Sequence, residues 1–227
     1  LNLTVKSSKP VVITGAMRPP SSMGTDADLN LYNAVQLASD SSAGGRGVLT
    51  VLNQTIHSGR DVTKSDALRP ETFISPDWGP LGYVDSDHRV VFYRSLERKH
   101  TAASPFETTD HNTLPRVDVV YAYAGADGLL IDAVRNNQSD GLVLAGFGAG
   151  TFTPALESAA KSAVEQGISV VISTRSYKGR VVPTPRKHEY GFIVSDDLMP
   201  PKARVLLTLA LTITSDRDSI QKLFNEY

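Results

Sequence analysis

The first regular element of the chain is Pro10-Val11-Val12-Ile13-Thr14-Gly15, an apolar run that ends at a glycine. Such a run is typical of a strand buried in a parallel sheet. Residues 26–38 then carry apolar side chains close to a 3.6-residue period, which predicts a helix, and residues 47–53 form the next apolar run. A strand, a helix and a strand in succession predict a parallel pair of strands joined by a right-handed crossover.

The same alternation returns in the second half of the chain. Further strands are predicted at 117–123, 141–146 and 169–173, and helices at 127–136 and 154–166. Residues 201–211 are apolar nearly all round, so we expect a buried helix there. Asp216 is suited to cap a last helix. The chain is therefore predicted to be α/β, with two α/β domains whose sheets are mainly parallel.

The middle of the chain has a different pattern. Two short strand-like pieces, 71–74 and 89–94, flank a segment rich in turn residues, which predicts a β-hairpin extension at the edge of the first sheet. Residues 95–115 then lose apolar periodicity and become polar and turn-forming. We predict a linker over 95–115, between a first domain at 1–94 and a second at 116–227.

Composition excludes several classes of protein. The 227 residues carry 23 basic and 24 acidic side chains, so the net charge of −1 offers no case for nucleic-acid binding or for an anionic membrane surface. No apolar run reaches the roughly 18 residues of a membrane span. With no cysteine, the chain has no disulfide, thiolate metal site or cysteine nucleophile.

Common catalytic and ligand-binding motifs are missing from the sequence. The loop Gly146-Phe147-Gly148-Ala149-Gly150-Thr151 is rich in glycine but lacks a dinucleotide or P-loop register, so its glycines are interpreted as turn formers. The strand-to-helix elbow of serine hydrolases is not found either. The five histidines are scattered without metal-ligand spacing and are expected to be ordinary surface or loop residues: His57, His88, His100, His111 and His188. No metal site is predicted.

The segment Ser58-Gly59-Arg60-Asp61-Val62-Thr63-Lys64 leaves two interpretations open. A lysine beside a threonine and an aspartate, just after a strand, can take part in a proton relay if burial lowers its pKa. The other interpretation is a solvated loop lysine beside a surface pair of Arg60 and Asp61. The residues alone do not decide between a catalytic and a structural Lys64.

Several blocks of the sequence resemble the bacterial type II L-asparaginases and the related glutaminase-asparaginases. These blocks keep the family's order and nearly its spacing from the first residue to the last. They include Gly15-Ala16-Met17-Arg18-Pro19, Asn30-Leu31-Tyr32-Asn33-Ala34-Val35, Gly59-Arg60-Asp61-Val62-Thr63-Lys64, Gly79-Pro80-Leu81-Gly82-Tyr83, Arg98-Lys99-His100-Thr101 and Pro201-Lys202-Ala203-Arg204-Val205-Leu206-Leu207.

The resemblance implies an activity and an assembly. It implies two α/β domains, hydrolysis of asparagine to aspartate and ammonia, and a threonine nucleophile that forms an acyl-enzyme. A second threonine, an aspartate and a lysine support the nucleophile, and no metal or organic cofactor takes part. A homotetramer and export to the periplasm or medium are implied as well, while a cytoplasmic location stays open.

The resemblance also assigns roles to three residues of this chain. Lys64 falls on the supporting lysine, and Ala16 on a position whose backbone lies near the substrate amide. Thr151 falls on a position that reaches into the site of a neighbouring subunit. Because glutaminase-asparaginases carry a small hydroxyl residue there, Thr151 predicts that glutamine is accepted too. A second neighbour-subunit position, a glutamate, is not assigned, since residues 183–189 depart from the family pattern and Glu189 is out of register.

The family's blocks with the nucleophile, Thr-Gly-Gly-Thr-Ile, and with the second threonine and aspartate, His-Gly-Thr-Asp-Thr, do not occur in this sequence. We expect them to precede Leu1, so that the N-terminal domain is truncated and the 227-residue chain alone does not hydrolyse asparagine. The sequence then represents the retained part of a longer enzyme, a fragment, or a natural protein without the catalytic part. The alternative function is a non-catalytic amino-acid-binding protein derived from the family.

Overall fold

The computed structural model describes residues 1–107 and 113–227, and the chain divides into two compact units, Leu1–Pro105 and Phe106–Tyr227. The division point lies inside the predicted linker at 95–115, whose boundaries stay a prediction. His111, in that linker, lies outside the described residues. Both units combine helices with β-sheets, which confirms the α/β class.

The first unit holds a five-stranded sheet in the order β1-β2-β3-β6-β7, together with a separate two-stranded ribbon of β4 and β5. Its elements are β1 (Val11–Ile13), α1 (Ala27–Ser39), β2 (Val48–Leu52), β3 (Thr55–Ser58), β4 (Thr63–Lys64), β5 (Phe73–Ile74), β6 (Gly82–Val84) and β7 (Val90–Phe92). β1 and β2 are parallel and α1 lies between them in the chain, as predicted. The other pairs of this sheet are antiparallel, so the first sheet is mixed.

The junction of β2 and β3 is a two-residue turn that the sequence reasoning did not identify. Asn53 and Gln54 both have positive φ, 48° and 63°, which reverses the chain directly after β2. β2 is buried along its whole length and forms the centre of the sheet. The core of this unit packs α1 against the sheet through Leu37, Leu49, Val51, Ile56 and Leu81.

A β-hairpin at the sheet edge is present, and its second strand, β7, lies within the predicted piece 89–94, but its first strand differs from the predicted one. The hairpin joins β6 and β7, whereas Phe73 and Ile74 pair with β4 instead. Gly82 had been interpreted as part of the turn. A Cβ atom at Gly82 would lie 1.9 Å from the carbonyl oxygen of Val91, so the strands approach this closely only because residue 82 is glycine.

The second unit holds a parallel four-stranded sheet in the order β11-β10-β9-β8. Its strands are β8 (Val117–Tyr121), β9 (Gly141–Gly146), β10 (Ser169–Thr174) and β11 (Ile193–Val194), and its helices are α2 (Leu129–Asn136), α3 (Pro154–Glu165), α4 (Pro185–Glu189), α5 (Pro200–Ala210) and α6 (Arg217–Glu226). β11 and α4 are short and were not predicted. β9 is buried along its whole length.

The two C-terminal helices follow the sequence predictions. α5 buries Ala203, Leu206 and Leu207 among others, while Val205 on its outer face is 48% exposed. The Asp216 carboxylate caps α6 by accepting from the Ser219 N–H at 2.8 Å. Within the described residues, no helix has both the length and the apolar character of a membrane span.

Candidate functional site

Lys64 lies on the two-stranded ribbon of the first unit, directly opposite Phe73. Its side chain is exposed, and among the described residues no hydrogen bond or ion pair holds its ammonium group. Its charge acts at longer range on Asp66. The N–H groups of Leu68 and Arg69 hold the pKa of the Asp66 carboxyl below its ordinary value, and the charges of Arg69 and Lys64 add to that effect. Lys64 is therefore presented to solvent from an ordered element.

The segment before Lys64 is fixed by a buried ion-pair cluster. Asp61 lies 3.3 Å from Arg60 and 3.3 Å from Arg94, and the Asp61 side chain is only 5% exposed. Arg94 also donates to the carbonyl oxygens of Gly79, at 2.7 Å, and Pro80, at 3.1 Å. The interpretation of Arg60 and Asp61 as a surface pair was wrong, because both side chains are buried and Asp61 also pairs with Arg94 in a distant part of the chain.

Ala16 is exposed in the loop at the carboxyl end of β1. The two N–H groups that follow it, of Met17 and Arg18, donate to the Asp26 carboxylate at 3.0 Å and 2.9 Å. Burial raises the pKa of Asp26, but these N–H donors and Asn30 outweigh it and hold that pKa below its ordinary value. Asn30 also donates to the Gly15 carbonyl oxygen at 2.9 Å. The backbone around Ala16 is thus held in one conformation by polar side chains of α1 and its cap.

Ala16 and Lys64 lie in the same unit but on separate elements. Phe73, opposite Lys64, lines a cavity of about 220 Å³ together with Leu52 and Asn53 at the carboxyl end of β2. Because β1 and β2 are parallel, the loop that carries Ala16 leaves the sheet at the same end. Among the described residues, no hydrogen bond or ion pair connects the two candidate residues.

The same cavity contains a buried histidine that the sequence reasoning placed wrongly. His57 is 2% exposed, and its Nδ1 lies 2.9 Å from the Ser75 hydroxyl. Burial lowers the pKa of His57 to about 4, so the ring is neutral at physiological pH. His57 follows Ile56 in β3 and therefore faces the opposite side of the strand, yet both residues are buried, so alternation along the strand gave no signal for the burial of His57. The described residues contain no group of three or more acidic or histidine side chains that could hold a metal ion.

Thr151 lies in the second unit, at the end of the glycine-rich loop after β9. Its N–H and that of Gly150 both donate to the Phe147 carbonyl oxygen at 2.9 Å, which closes the loop. Gly150 has a φ of 85°, and a Cβ atom there would lie 2.7 Å from Ile172. The glycines therefore form a tight turn, as interpreted from the sequence, and the loop N–H groups at its end are already used.

A cavity of about 370 Å³ opens beside Thr151, between residues 150–157 and residues 184–192. Arg186 forms an ion pair with Glu157 in its wall and lies over the Tyr190 ring, 5.6 Å from the ring centroid. Lys187 donates from its ammonium group to the carbonyl oxygens of Ala149 and Val182, at 3.0 Å and 3.2 Å. The short helix α4, which supplies both basic residues, belongs to the segment that departs from the family pattern.

Comparison with known proteins decides the family. The family model described as "Asparaginase, N-terminal" matches residues 1–98, and the one described as "Glutaminase/Asparaginase C-terminal domain" matches residues 116–224. The chain belongs to the asparaginase family. This confirms the resemblance drawn from the sequence blocks, and the family matches extend over both structural units.

Three curated relatives give the degree of similarity. The chain is 44% identical to L-asparaginase 2 of Escherichia coli and 42% identical to the probable periplasmic L-asparaginase of Haemophilus influenzae, and both matches cover the whole chain. It is 38% identical over its whole length to the glutaminase-asparaginase of Acinetobacter glutaminasificans. The matched region spans 66%, 65% and 70% of these asparaginase relatives, respectively, so each relative has a further part that the chain does not match.

Proposed function

We propose that the protein is an amidohydrolase of the asparaginase type that hydrolyses the side-chain amide of asparagine, and also that of glutamine, and releases ammonia. The observation that carries the proposal is the family match over both units. Relatives named as asparaginases and as glutaminase-asparaginases share more than a third of their matched residues with this chain. Both substrates are small amino acids with the same reacting group.

In this proposal Lys64 is the lysine that supports the nucleophile. Its ammonium group is exposed and has no fixed partner among the described residues, so it is available to groups that approach the ribbon. The buried cluster of Asp61, Arg60 and Arg94 holds the segment that leads to it. A lysine on an ordered element can pass a proton when a hydroxyl group and a carboxylate come within hydrogen-bond distance.

The threonine nucleophile is proposed to come from outside these 227 residues. Thr63 precedes Lys64 on the same strand, so its side chain points to the opposite face of the ribbon. The Thr72 hydroxyl is buried and engaged with the backbone of Asp66. Neither hydroxyl has the contact with the Lys64 ammonium group that a relay requires. We therefore propose that the chain on its own does not turn over asparagine.

Ala16 and Thr151 are proposed to contact substrate. The exposed backbone of Ala16, at the carboxyl end of β1, suits contact with an amide group. Thr151 is exposed beside a cavity and is proposed to reach the site of a neighbouring subunit in a homotetramer. A threonine leaves more room than an asparagine, so Thr151 favours acceptance of the longer glutamine side chain. Export from the cytoplasm is proposed as well, supported by the name of the Haemophilus relative.

A second candidate function is non-catalytic binding of a small amino acid. The observation that favours it is the isolated Lys64 ammonium group, which joins no proton relay within the described residues. A binding protein of this type would bind asparagine to saturation. It would release no ammonia, whichever other part or subunit it is assembled with.

Ammonia release by a chimera separates these functions. In the chimera, the part of the Escherichia coli relative that the chain does not match is joined to the 227 residues in the order of the relative. The enzyme proposal predicts ammonia from asparagine and glutamine with the chimera and none above background with the chain alone. A folded chimera that binds asparagine without turnover would leave only the binding function. A ratio of kcat/KM for asparagine over glutamine above ~10³ would contradict the dual preference, because one methylene group is worth only about 10- to 200-fold.

A further inference from the structure

We infer that the cavity between residues 150–157 and residues 184–192 is a binding site for a small carboxylate, with Lys187 as its ion-pair partner. The inference uses no step of the proposed amide hydrolysis, although Thr151, which the proposed function places in contact with substrate, also lines this cavity. The segment that supplies Lys187, residues 183–189, is the part of the chain that departs from the family pattern. The site is therefore proposed as a property of this chain.

The charges of the cavity wall leave one ammonium group without an acidic partner. Arg186 is neutralised by its ion pair with Glu157. Lys187 donates two hydrogen bonds, both to uncharged carbonyl oxygens, of Ala149 and Val182. No carboxylate lies within ion-pair distance of Lys187 in the described part of the chain. Because an ammonium group has three donors, one donor is left for a ligand.

The position of Lys187 makes an anionic ligand favourable. Its side chain is partly buried, and this burial lowers the pKa of Lys187. A charged ammonium group that is partly removed from water is stabilised by an anion at hydrogen-bond distance. The geometry also fixes the place of that anion, since the two carbonyl contacts hold the Nζ atom between the loop that carries Ala149 and the segment that carries Val182.

The wall opposite the charges is aromatic and suits the carbon part of a small organic acid. Phe192 packs edge-on against Phe152 and Tyr190, with ring centroids 6.2 Å and 5.8 Å apart. All three rings line the cavity. A pocket with apolar walls and a single well-placed charge is typical of a small-molecule site.

Donor number favours a carboxylate over a phosphate. The N–H groups of Gly150 and Thr151 are both donated to the Phe147 carbonyl oxygen, and the Thr151 hydroxyl donates to the same oxygen at 3.2 Å. These three donors at the end of the loop are therefore not available to a phosphate group. One unpaired ammonium group matches the single charge of a carboxylate.

Saturation-transfer NMR with acetate as the probe tests this site, because the method observes the ligand and works for an assembly of any size. The 227-residue protein is expected to give a saturable acetate signal that equimolar chloride does not remove. Lys187→Met is expected to weaken acetate binding about 10-fold or more, as loss of a charge-assisted hydrogen bond would. Lys187→Arg keeps the charge and is expected to retain binding.

The matched control is Lys222→Met, which removes an exposed lysine from α6 and leaves acetate binding unchanged. Circular dichroism shows that each variant is folded. Three results would overturn the inference: no saturable acetate signal, equal acetate binding by Lys187→Met and the parent protein, or displacement of acetate by phosphate at a lower concentration than acetate itself requires. Because turnover is not measured, a loss of amidase activity cannot be mistaken for a failure of this site.

Discussion

The carboxylate of Asp61 lies 3.3 Å from the guanidinium group of Arg94, which is 33 residues further along the chain. This ion pair joins the segment that carries Lys64 to the end of the β6–β7 hairpin. Asp61 also pairs with Arg60, and its side chain is 5% exposed. The position of the candidate lysine therefore depends on a buried charge cluster several residues away from it.

Asp61→Asn is expected to destabilise the protein by about 3 kcal/mol, because it removes the buried carboxylate charge that pairs with the partly buried guanidinium group of Arg94. The measurement is the free energy of unfolding from urea titration. The control is Arg69→Met, which removes an exposed ion pair with Asp66 and is expected to have a far smaller effect. Equal losses of unfolding free energy in the two variants would show that the Asp61 cluster stabilises the protein no more than an exposed ion pair does.

Asn30→Leu is expected to cost about 2–4 kcal/mol, since the buried Asn30 amide makes three contacts that leucine cannot replace. It donates to Gly15 and Asp26 and accepts from the Asn53 N–H, each at 2.9 Å. Asn33→Leu is the matched control on α1, because the buried Asn33 Nδ2 has no partner in the described structure. Thermal unfolding of both variants is the measurement. A larger loss of stability in Asn33→Leu than in Asn30→Leu would contradict the stabilising role given to the Asn30 amide.

His57 is expected to make the protein less stable as the pH falls. Burial lowers the pKa of His57 to about 4 in the folded protein, below the ordinary value of 6.5. The unfolded chain therefore binds the proton first, and the contribution of His57 is complete above pH 6.5 and lost as the pH falls toward 4. It amounts to at most about 3 kcal/mol.

Urea unfolding between pH 7.5 and pH 4.5, compared with His57→Gln, measures this contribution. The variant cannot titrate at this position, so its stability is expected to fall less steeply over the same range. His88→Gln, at an exposed residue, serves as the control and is expected to keep the steeper profile. If the unfolding free energies of the parent protein and His57→Gln fell equally with pH, the pKa of His57 would not be lowered in the folded protein.

Much of the fold was predictable because a long helix or strand that buries one face has apolar residues at regular spacing in the sequence. The strand–helix–strand order at the start of the chain and all the longer helices and strands of the second unit follow from apolar spacing. The elements that were missed are β3, β4, β6, β11 and α4, which have two to five residues and are too short for a period to appear. Gly82 was misread because its role, the close approach of β6 to Val91, depends on a distant strand.

The candidate site was predictable only in part. The family blocks predicted roles for Lys64, Ala16 and Thr151, and these roles stay predictions. The burial of His57, the cluster around Asp61 and the absence of an acidic partner for Lys187 in the described structure could not be derived from the sequence. Each depends on which side chains the fold brings together from segments far apart in the chain.

The most direct test of the central claim, that this chain supplies the catalytic lysine of an amidohydrolase, is kcat/KM for asparagine in the chimera with the Escherichia coli relative. Lys64→Met is expected to lower kcat/KM by about 10³-fold, in the range of lost proton-transfer catalysis. Lys222→Met is expected to leave it unchanged. A folded chimera whose Lys64→Met variant hydrolyses asparagine at the parent rate would contradict the claim.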